Sequence, residues 1–380
     1  MSDGGEPGYV LVGNLANRRV TGFQAALTAQ GLPPARELAW RELMEPGAAE
    51  RLLAGARGLL RIESVGEDAE VERALLRRGE AAARAGGWPA VSAAELAAIP
   101  DEVGRILWPR QHQLGFEAVL AEIEAALAVA PELRPLQPPA AIRFLFDKAA
   151  TSTAWRALGV AVPDVLPGGV VRDPDDLRAR MRDAGWRSVF VKLTCGSSAS
   201  CLALFTHDAR GDLAVTTVED AGAARYNTRR LRRLTDRAAI DRTLGFILGE
   251  GAHVELAIPK AKVAGRFFDC RVLAIAGEAA FVVVRTAAQP ITNLHLGGTR
   301  GDLAALRARV PAASWAAAMA ACVRVQETSG AFHVGVDLLF EPSLRAHRVI
   351  EGNAFGDLLP NLDRQGLDVY GWQIRRARRG

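Results

Sequence analysis

At 380 residues, with 49% hydrophobic and 24% charged residues, the chain has enough apolar content for two or three cored domains, which excludes disorder as its default state. A net charge of +4 with a pI near 9.1 suits acidic or nucleotide ligands but falls short of a nucleic-acid-binding signature, so no nucleic-acid partner is expected. No apolar run reaches membrane-spanning length and the start, MSDGGEPG, has no secretory pattern, so a cytoplasmic protein without membrane contact is expected.

The run YVLVGN at residues 9–14, followed by helical spacing to Gly31, reads as strand, loop, helix. GLLRI from Gly58 to Ile62 precedes an Ala-, Glu- and Arg-rich helix from about Glu67 to Ala85, and this alternation implies a parallel sheet. No GxGxxG fingerprint follows the first strand, which argues against a nicotinamide or flavin site. The aromatic and basic segment WPRQHQLGF, Trp108 to Phe116, reads as an interdomain joint or a cleft lining, ahead of an amphipathic helix from about Phe116 to Val129. The Pro-rich LRPLQPPA, Leu133 to Ala140, marks a domain boundary.

Phe144 to Leu158 then reads as a helix carrying Lys148. In RSVFVKLTCGSSASCLALF an apolar strand ends near Lys192, a loop of small residues including Ser197 and Ser198 follows, and a second strand returns. Small residues let backbone N–H groups approach an anion, and a nearby lysine supplies charge, so this is either a phosphate cradle or a tight exposed hairpin. A Walker A loop is excluded, because no lysine here follows a glycine. Only Lys148, Lys192, Lys260 and Lys262 are lysines among 47 basic residues, and a lysine kept where arginine is so freely used points to a need for a compact ammonium.

The basic run RYNTRRLRRL, Arg225 to Leu234, is a solvated face or a guide for an anionic substrate. AHVELAIPK alternates and breaks at Pro259, and FFDCRVLAIAGEAAFVVVR is a hairpin turning at Gly277 and Glu278. ITNLHLGGTRGD gives a Gly-rich loop opening a helix near Asp302, and the tail IRRARRG reads as a basic helix end. Cys195, Cys201, Cys270 and Cys322 have no metal-cluster spacing and are expected as thiols.

The stretch Phe332 to Pro360 carries the strongest signal. Two apolar runs, His333 to Phe340 and His347 to Asn353, flank a Pro-containing turn, the pattern of an antiparallel hairpin. Alternation puts Glu351 and Asn353 on one face, and odd-to-odd pairing brings Asp337 there too, opposite or diagonal to Glu351. Two close carboxylates need a cation or a proton, and two carboxylates with an amide suit Mg²⁺ or Mn²⁺; the alternative is an exposed edge paired with Arg345 and Arg348.

In order, FDK with Lys148, FVKLTCGSSAS with Lys192, FFDCRVLAIAGE with VVVR, the NLHLGG loop, and GVDLLF with IEGN resemble the ATP-grasp superfamily, in particular its RimK-like and glutathione-synthetase-like carboxylate–amine ligases. The likeness covers about Phe144 to Asn353. It implies an α/β and α+β chain: a Rossmann-like N-terminal domain over 1–138, then two α+β subdomains over 139–254 and 255–380. It further implies ATP on Lys148, Lys192, Ser197 and Ser198, with Glu255, Ala257, Ile258 and Lys260 along the adenine and hinge segment. Arg271, Arg285 and Asn293 would face the γ-phosphate, and Asp337, Glu351 and Asn353 would hold Mg²⁺ or Mn²⁺. The implied activity is amide formation between a small-molecule or peptide carboxylate and an amine through an acyl phosphate. A kinase acting on a hydroxyl and a non-catalytic nucleotide-binding regulator are the alternatives. Two features depart from the pattern: Lys260 stands where many relatives have an acidic residue for ribose, and the small-residue loop has a single glycine.

Overall fold

The computed structural model describes residues 8–196, 200–357 and 359–379. Its first sheet has four parallel strands, β1 (Tyr9–Gly13), β2 (Arg36–Ala39), β3 (Gly58–Ile62) and β4 (Leu133–Pro135), in the order β2-β1-β3-β4. Every residue of β1 is buried, as expected for a strand covered on both faces. Val10 and Val12 point toward Trp40 and Phe116, while Tyr9 and Leu11 point toward Phe23 and Tyr370. Helix Pro109–Ala128 therefore covers one face, and helix Arg18–Ala29 with the terminal helix Val369–Ala377 covers the other.

Helix Pro109–Ala128 takes in most of the segment read as an aromatic joint, because proline at its first position already has the helical φ and needs no N–H partner. It crosses helix Ala69–Ala85 at two glycines. A Cβ on Gly79 would lie 1.9 Å from the Gln111 carbonyl oxygen, and one on Gly115 1.9 Å from that of Leu75. The helix expected over Phe144 to Leu158 is two helices, Pro139–Phe146 and Lys148–Ala157. The break is Asp147, whose extended backbone and carboxylate cap the N–H groups of Ala149 and Ala150.

The second sheet is antiparallel, in the order β8-β7-β6-β5-β9: β5 (Ser188–Leu193), β6 (Leu202–Asp208), β7 (Gly211–Asp220), β8 (Arg225–Leu234) and β9 (Ala252–Leu256). Val189, Val191 and Leu193 enter a core with Leu177, Leu244 and Ile247 of the covering helices, so Phe190 and Lys192 face the other way.

The third sheet has six strands in the order β13-β12-β11-β14-β15, with β10 (Lys262–Val263) also on β11. Its members are β11 (Arg266–Ile275), β12 (Glu278–Ala287), β13 (Thr299–Arg300), β14 (His333–Phe340) and β15 (His347–Asn353). Cys270, Val272, Val336 and Leu338 pack toward Val325 and Cys322 of helix Ala312–Ser329. On the opposite face, Leu273, Ile275 and Val283 are covered by Val369 and Trp372. Beyond that apolar end the same face becomes charged. Among the described residues, no helix is long and apolar enough to cross a membrane.

Candidate functional site

Asp337 pairs with Glu351 across β14 and β15, Arg271 with Asp337 across β11 and β14, and Arg285 with Asp269 across β12 and β11. All five side chains share one face. A register shift just after Asp337 makes Ile350 an extra residue on β15, so Val349 returns to the core while Glu351 keeps its place opposite Asp337. The two arginines meet at Asp337: its Oδ1 lies 2.6 Å from Arg271 Nε and 3.1 Å from Arg285 Nη2. That oxygen is buried and receives no well-aligned hydrogen bond among the described residues.

Arg285 Nε also donates to Asp269 at 2.7 Å, and Lys260 Nζ donates to Asp269 at 3.0 Å and to Thr292 Oγ1 at 2.8 Å. The Thr292 hydroxyl donates in turn to Asp269. Burial pushes the Asp269 carboxyl up, but Lys260 and Arg285 outweigh it and hold it well below the ordinary carboxylate range. Burial also lifts Asp337, with Glu351 and Asp269 adding to the rise and the arginines offsetting part of it. Glu351 moves the other way: burial is overcome by Lys148 and Lys192, then by Arg271 and Arg285.

The facing wall comes from β5, β9 and the loop before helix Lys148–Ala157. Lys192 is ion-paired with Glu255, two strands joined through the Phe190–Glu255 and Lys192–His253 register. Burial opposes ionisation of Glu255, but Lys192 and then His253 bring its pKa down to about 2. Lys148 Nζ donates to the Gly196 carbonyl and lies 3.7 Å from Glu351 Oε2, bridging the two walls.

Between the walls lies a cleft of about 850 Å³. Lys148, Lys192, Glu255, Ile258, Lys260, Arg285, Asn293, Asp337 and Glu351 all line it. Ala257 stands aside, its N–H donating to the Ser188 carbonyl, and Arg271 reaches the cleft only through Asp337. Ser197 and Ser198 lie outside the described residues. Asn353 faces an adjoining pocket of about 540 Å³ that shares Lys148, Gly196 and Glu351 with the cleft. Its amide nitrogen donates to the Gly335 carbonyl at 3.0 Å, which orients the side-chain oxygen as an acceptor or candidate metal ligand.

Sequence reading passed over several members of the site. Asp269 and Thr292 anchor Lys260, and Phe190, Leu202, Leu256, Leu339 and Ile350 give the cleft an apolar slot. Phe190, Leu202 and Leu339 follow from the same period-2 alternation that placed Lys192 and Asp337, whereas Ile350, the extra residue at the β15 register shift, and Leu256, next to Glu255, do not. Asp269 and Thr292 were not, since their pairing spans two separate segments. The segment around Trp108 to Phe116 lines a third, larger groove through His112, Gln113 and Phe116. The basic run is β8 at a sheet edge, with Arg229, Arg230, Arg232 and Arg233 exposed and outside the cleft lining.

Asp337, Glu351 and Asn353 offer hard oxygens of the kind that suit Mg²⁺ or Mn²⁺, although Asp337 Oδ1 is ion-paired with Arg271 and Arg285. Among the described residues there is no group of three or more His, Cys, Asp or Glu side chains that could hold a metal.

No protein-family model and no curated protein matches the chain. Its fold is similar to that of D-cycloserine synthetase DcsG, with a TM-score of 0.54 at 14% identity over 98% of this chain and 99% of that one. It is similar too to the ATP-grasp ligase PsnB, complexed with a phosphomimetic variant of minimal precursor, Mg and ADP, with a TM-score of 0.52 at 14% identity over 98% of both chains. PsnB complexed with minimal precursor gives 0.52 at 15% identity over 98% of this chain and 100% of that one. The chain has the ATP-grasp fold.

Proposed function

We propose that this chain is an ATP- and Mg²⁺- or Mn²⁺-dependent carboxylate–amine ligase that forms an amide through an acyl phosphate. The observation that carries the reading is the convergence, in one cleft with an apolar slot, of Lys148, Lys192, Lys260 and Arg285 with the Asp337–Glu351 pair. Its ATP-grasp fold and the ADP- and Mg-bound state of the solved PsnB complex support the same reading.

In this account the slot of Phe190, Leu256 and Leu339 takes the adenine, with Glu255, Ala257 and Ile258 at its edge. Lys148 and Lys192 bind phosphate oxygens, each released from its present partner, Gly196 or Glu255, when the nucleotide enters. Ser197 and Ser198 belong to the loop assigned to the same phosphates. Lys260, tied to Asp269 and Thr292, replaces an acidic ribose contact with a cation. Asp337, Glu351 and Asn353 would hold the divalent ion, which would supply charge neutralisation at the transferring phosphate.

Chemically, a carboxylate oxygen of the acid attacks the γ-phosphorus, the bond to the bridging oxygen breaks, and ADP leaves with that electron pair. The amine nitrogen then attacks the acyl carbon, the C–O bond to phosphate breaks, and inorganic phosphate departs as the amine loses a proton. Arg271, Arg285 and Asn293 are assigned to the charge developing on the phosphoryl group. The parallel sheet belongs to a Rossmann-like domain over 1–138, with subdomains over 139–254 and 255–380. Solved PsnB complexes contain precursor peptides, which supports a peptide as one class of carboxylate or amine partner alongside small molecules.

The test is ADP release across a panel of acids and amines, with Mg²⁺ or with EDTA, and with hydroxylamine in place of the amine. Magnesium-dependent ADP with an acyl hydroxamate supports the ligase. A stable phosphorylated hydroxyl product would favour a kinase on the same fold, and no ADP with any pair would reject turnover.

A further inference from the structure

The pocket of about 540 Å³ beside the cleft brings the N-terminal sheet into the site through Arg19 and Ser64. Arg19 is the second residue of helix Arg18–Ala29 and Ser64 lies two residues beyond the end of β3, so both stand at the carboxyl ends of parallel strands, where open α/β sheets place ligands. Arg19 Nη1 donates to the Phe355 carbonyl at 2.9 Å and lies 3.5 Å from Glu63 Oε2. Its other guanidinium nitrogens take no acceptor among the described residues.

Glu63 is a fixed support. It is 1% exposed, its Oε1 accepts from Arg61 Nε at 2.6 Å, and Arg61 donates to Gln373 at 2.7 Å while stacked over Phe23 and Tyr370. One buried carboxylate thus serves two arginines and leaves a net positive charge at the pocket wall. The remaining charged lining is Lys148 and Glu351, and the apolar walls are Leu145, Phe146 and Phe355. The larger groove that shares Ser64, Phe146 and Gly196 has the opposite balance, five carboxylates against two arginines, so an anion is sorted toward Arg19.

We infer that this pocket takes the acid substrate and that Arg19 recognises its carboxylate, making Arg19 a specificity residue held in place by Glu63 and Arg61. The inference rests on the ligase reading. It gives the substrate class as a carboxylic acid with a compact, partly apolar body whose carboxylate sits between Arg19 and the phosphate end of the nucleotide. The guanidinium fork matches a carboxylate, while a neutral carboxamide would leave its own N–H groups facing N–H donors.

The experiment is thermal denaturation of the full chain with AMPPNP and Mg²⁺, across the free amino acids and short monocarboxylic acids and their matching carboxamides. At least one acid is expected to raise Tm beyond the nucleotide alone, with its carboxamide inactive. Arg19→Met should abolish the acid shift and keep the nucleotide shift. If Arg19→Met does not fold, Arg19→Lys carries the test: it should need about tenfold more acid for the same shift, since a lysine keeps the charge and loses the fork. An acid shift retained in Arg19→Met, an unchanged acid requirement in Arg19→Lys, a carboxamide as effective as its acid, or a nucleotide-bound wild type that responds to no acid would each overturn the inference. A wild type with no nucleotide shift would instead overturn the nucleotide site on which the inference depends.

Discussion

Asp337 and Glu351 stand directly opposite one another on β14 and β15, yet their surroundings move them in opposite directions: burial raises Asp337, while Lys148 and Lys192 hold Glu351 low. Held below its ordinary value, Glu351 is ionised in the cleft at neutral pH. Glu351→Gln preserves shape and removes that charge, so turnover should fall by about 10²-fold or more, the usual cost of deleting a charge-stabilising group, with little change in Tm. Wild-type rates of ADP release in the variant would show that Glu351 holds no cation.

Lys192 and Glu255 form a largely buried ion pair, so Lys192→Met strands a carboxylate and should cost about 3–5 kcal/mol at pH 7 without nucleotide. In the wild type Glu255 sits at about 2, below its unfolded value, so its stabilising contribution is present above the ordinary carboxylate pKa and is lost as pH falls through about 2. In the variant the stranded carboxyl is relieved by protonation. The penalty should therefore shrink between pH 7 and pH 4, and Lys192→Met with Glu255→Gln should recover most of it. Denaturant titrations at both pH values decide this, and an equal penalty at each would refute it.

Glu250 lies at the start of the turn into β9 and is 3% exposed; burial lifts its pKa to about 7 despite the Arg110 N–H donating to it at 2.9 Å and the charges of Arg110 and Arg225. The folded state therefore holds this proton more tightly than the unfolded chain, and the residue's contribution to stability declines as pH rises from the ordinary carboxylate value to about 7. Glu250→Gln keeps an acceptor for Arg110 and removes the ionisation. Relative to wild type it should raise Tm at pH 8 and have much less effect at pH 5. A variant equally shifted at both would contradict this.

Much of this was legible in the sequence, for a physical reason. Period-2 alternation fixes which side chains of one strand share a face, so Glu351 and Asn353 could be grouped before any strand pairing was known, and Asp337 joined them on the assumption of odd-to-odd pairing. What alternation could not supply was the partner across the sheet. The meeting of Arg271 and Arg285 at Asp337 depends on a register set 66 and 52 residues apart in sequence, respectively. The single helix read over Phe144 to Leu158 missed Asp147, because an N-cap and a solvent-facing acid are alike in a helical pattern. Arg19 and Ser64 escaped notice because they reach the site only once the N-terminal sheet is placed beside β15.

The crossing at Gly79 and Gly115 concerns stability alone. Gly79→Ala forces a methyl group onto a backbone carbonyl, so it should cost about 1–3 kcal/mol or more and leave nucleotide affinity per folded molecule unchanged. Urea melts and nucleotide titration of the same variant check both halves; a variant of wild-type stability would mean that the two helices can part at no cost.

In the proposed mechanism a substrate carboxylate attacks the γ-phosphate in the cleft floored by Asp337 and Glu351. This step is tested most directly by supplying the acid identified in the panel with ¹⁸O in its carboxylate, together with ATP, Mg²⁺ and the amine, and weighing the inorganic phosphate released. One ¹⁸O should be transferred to phosphate for each amide formed, with about 10²-fold less labelled phosphate per unit time from Glu351→Gln. Unlabelled phosphate accompanying amide formation would contradict the mechanism.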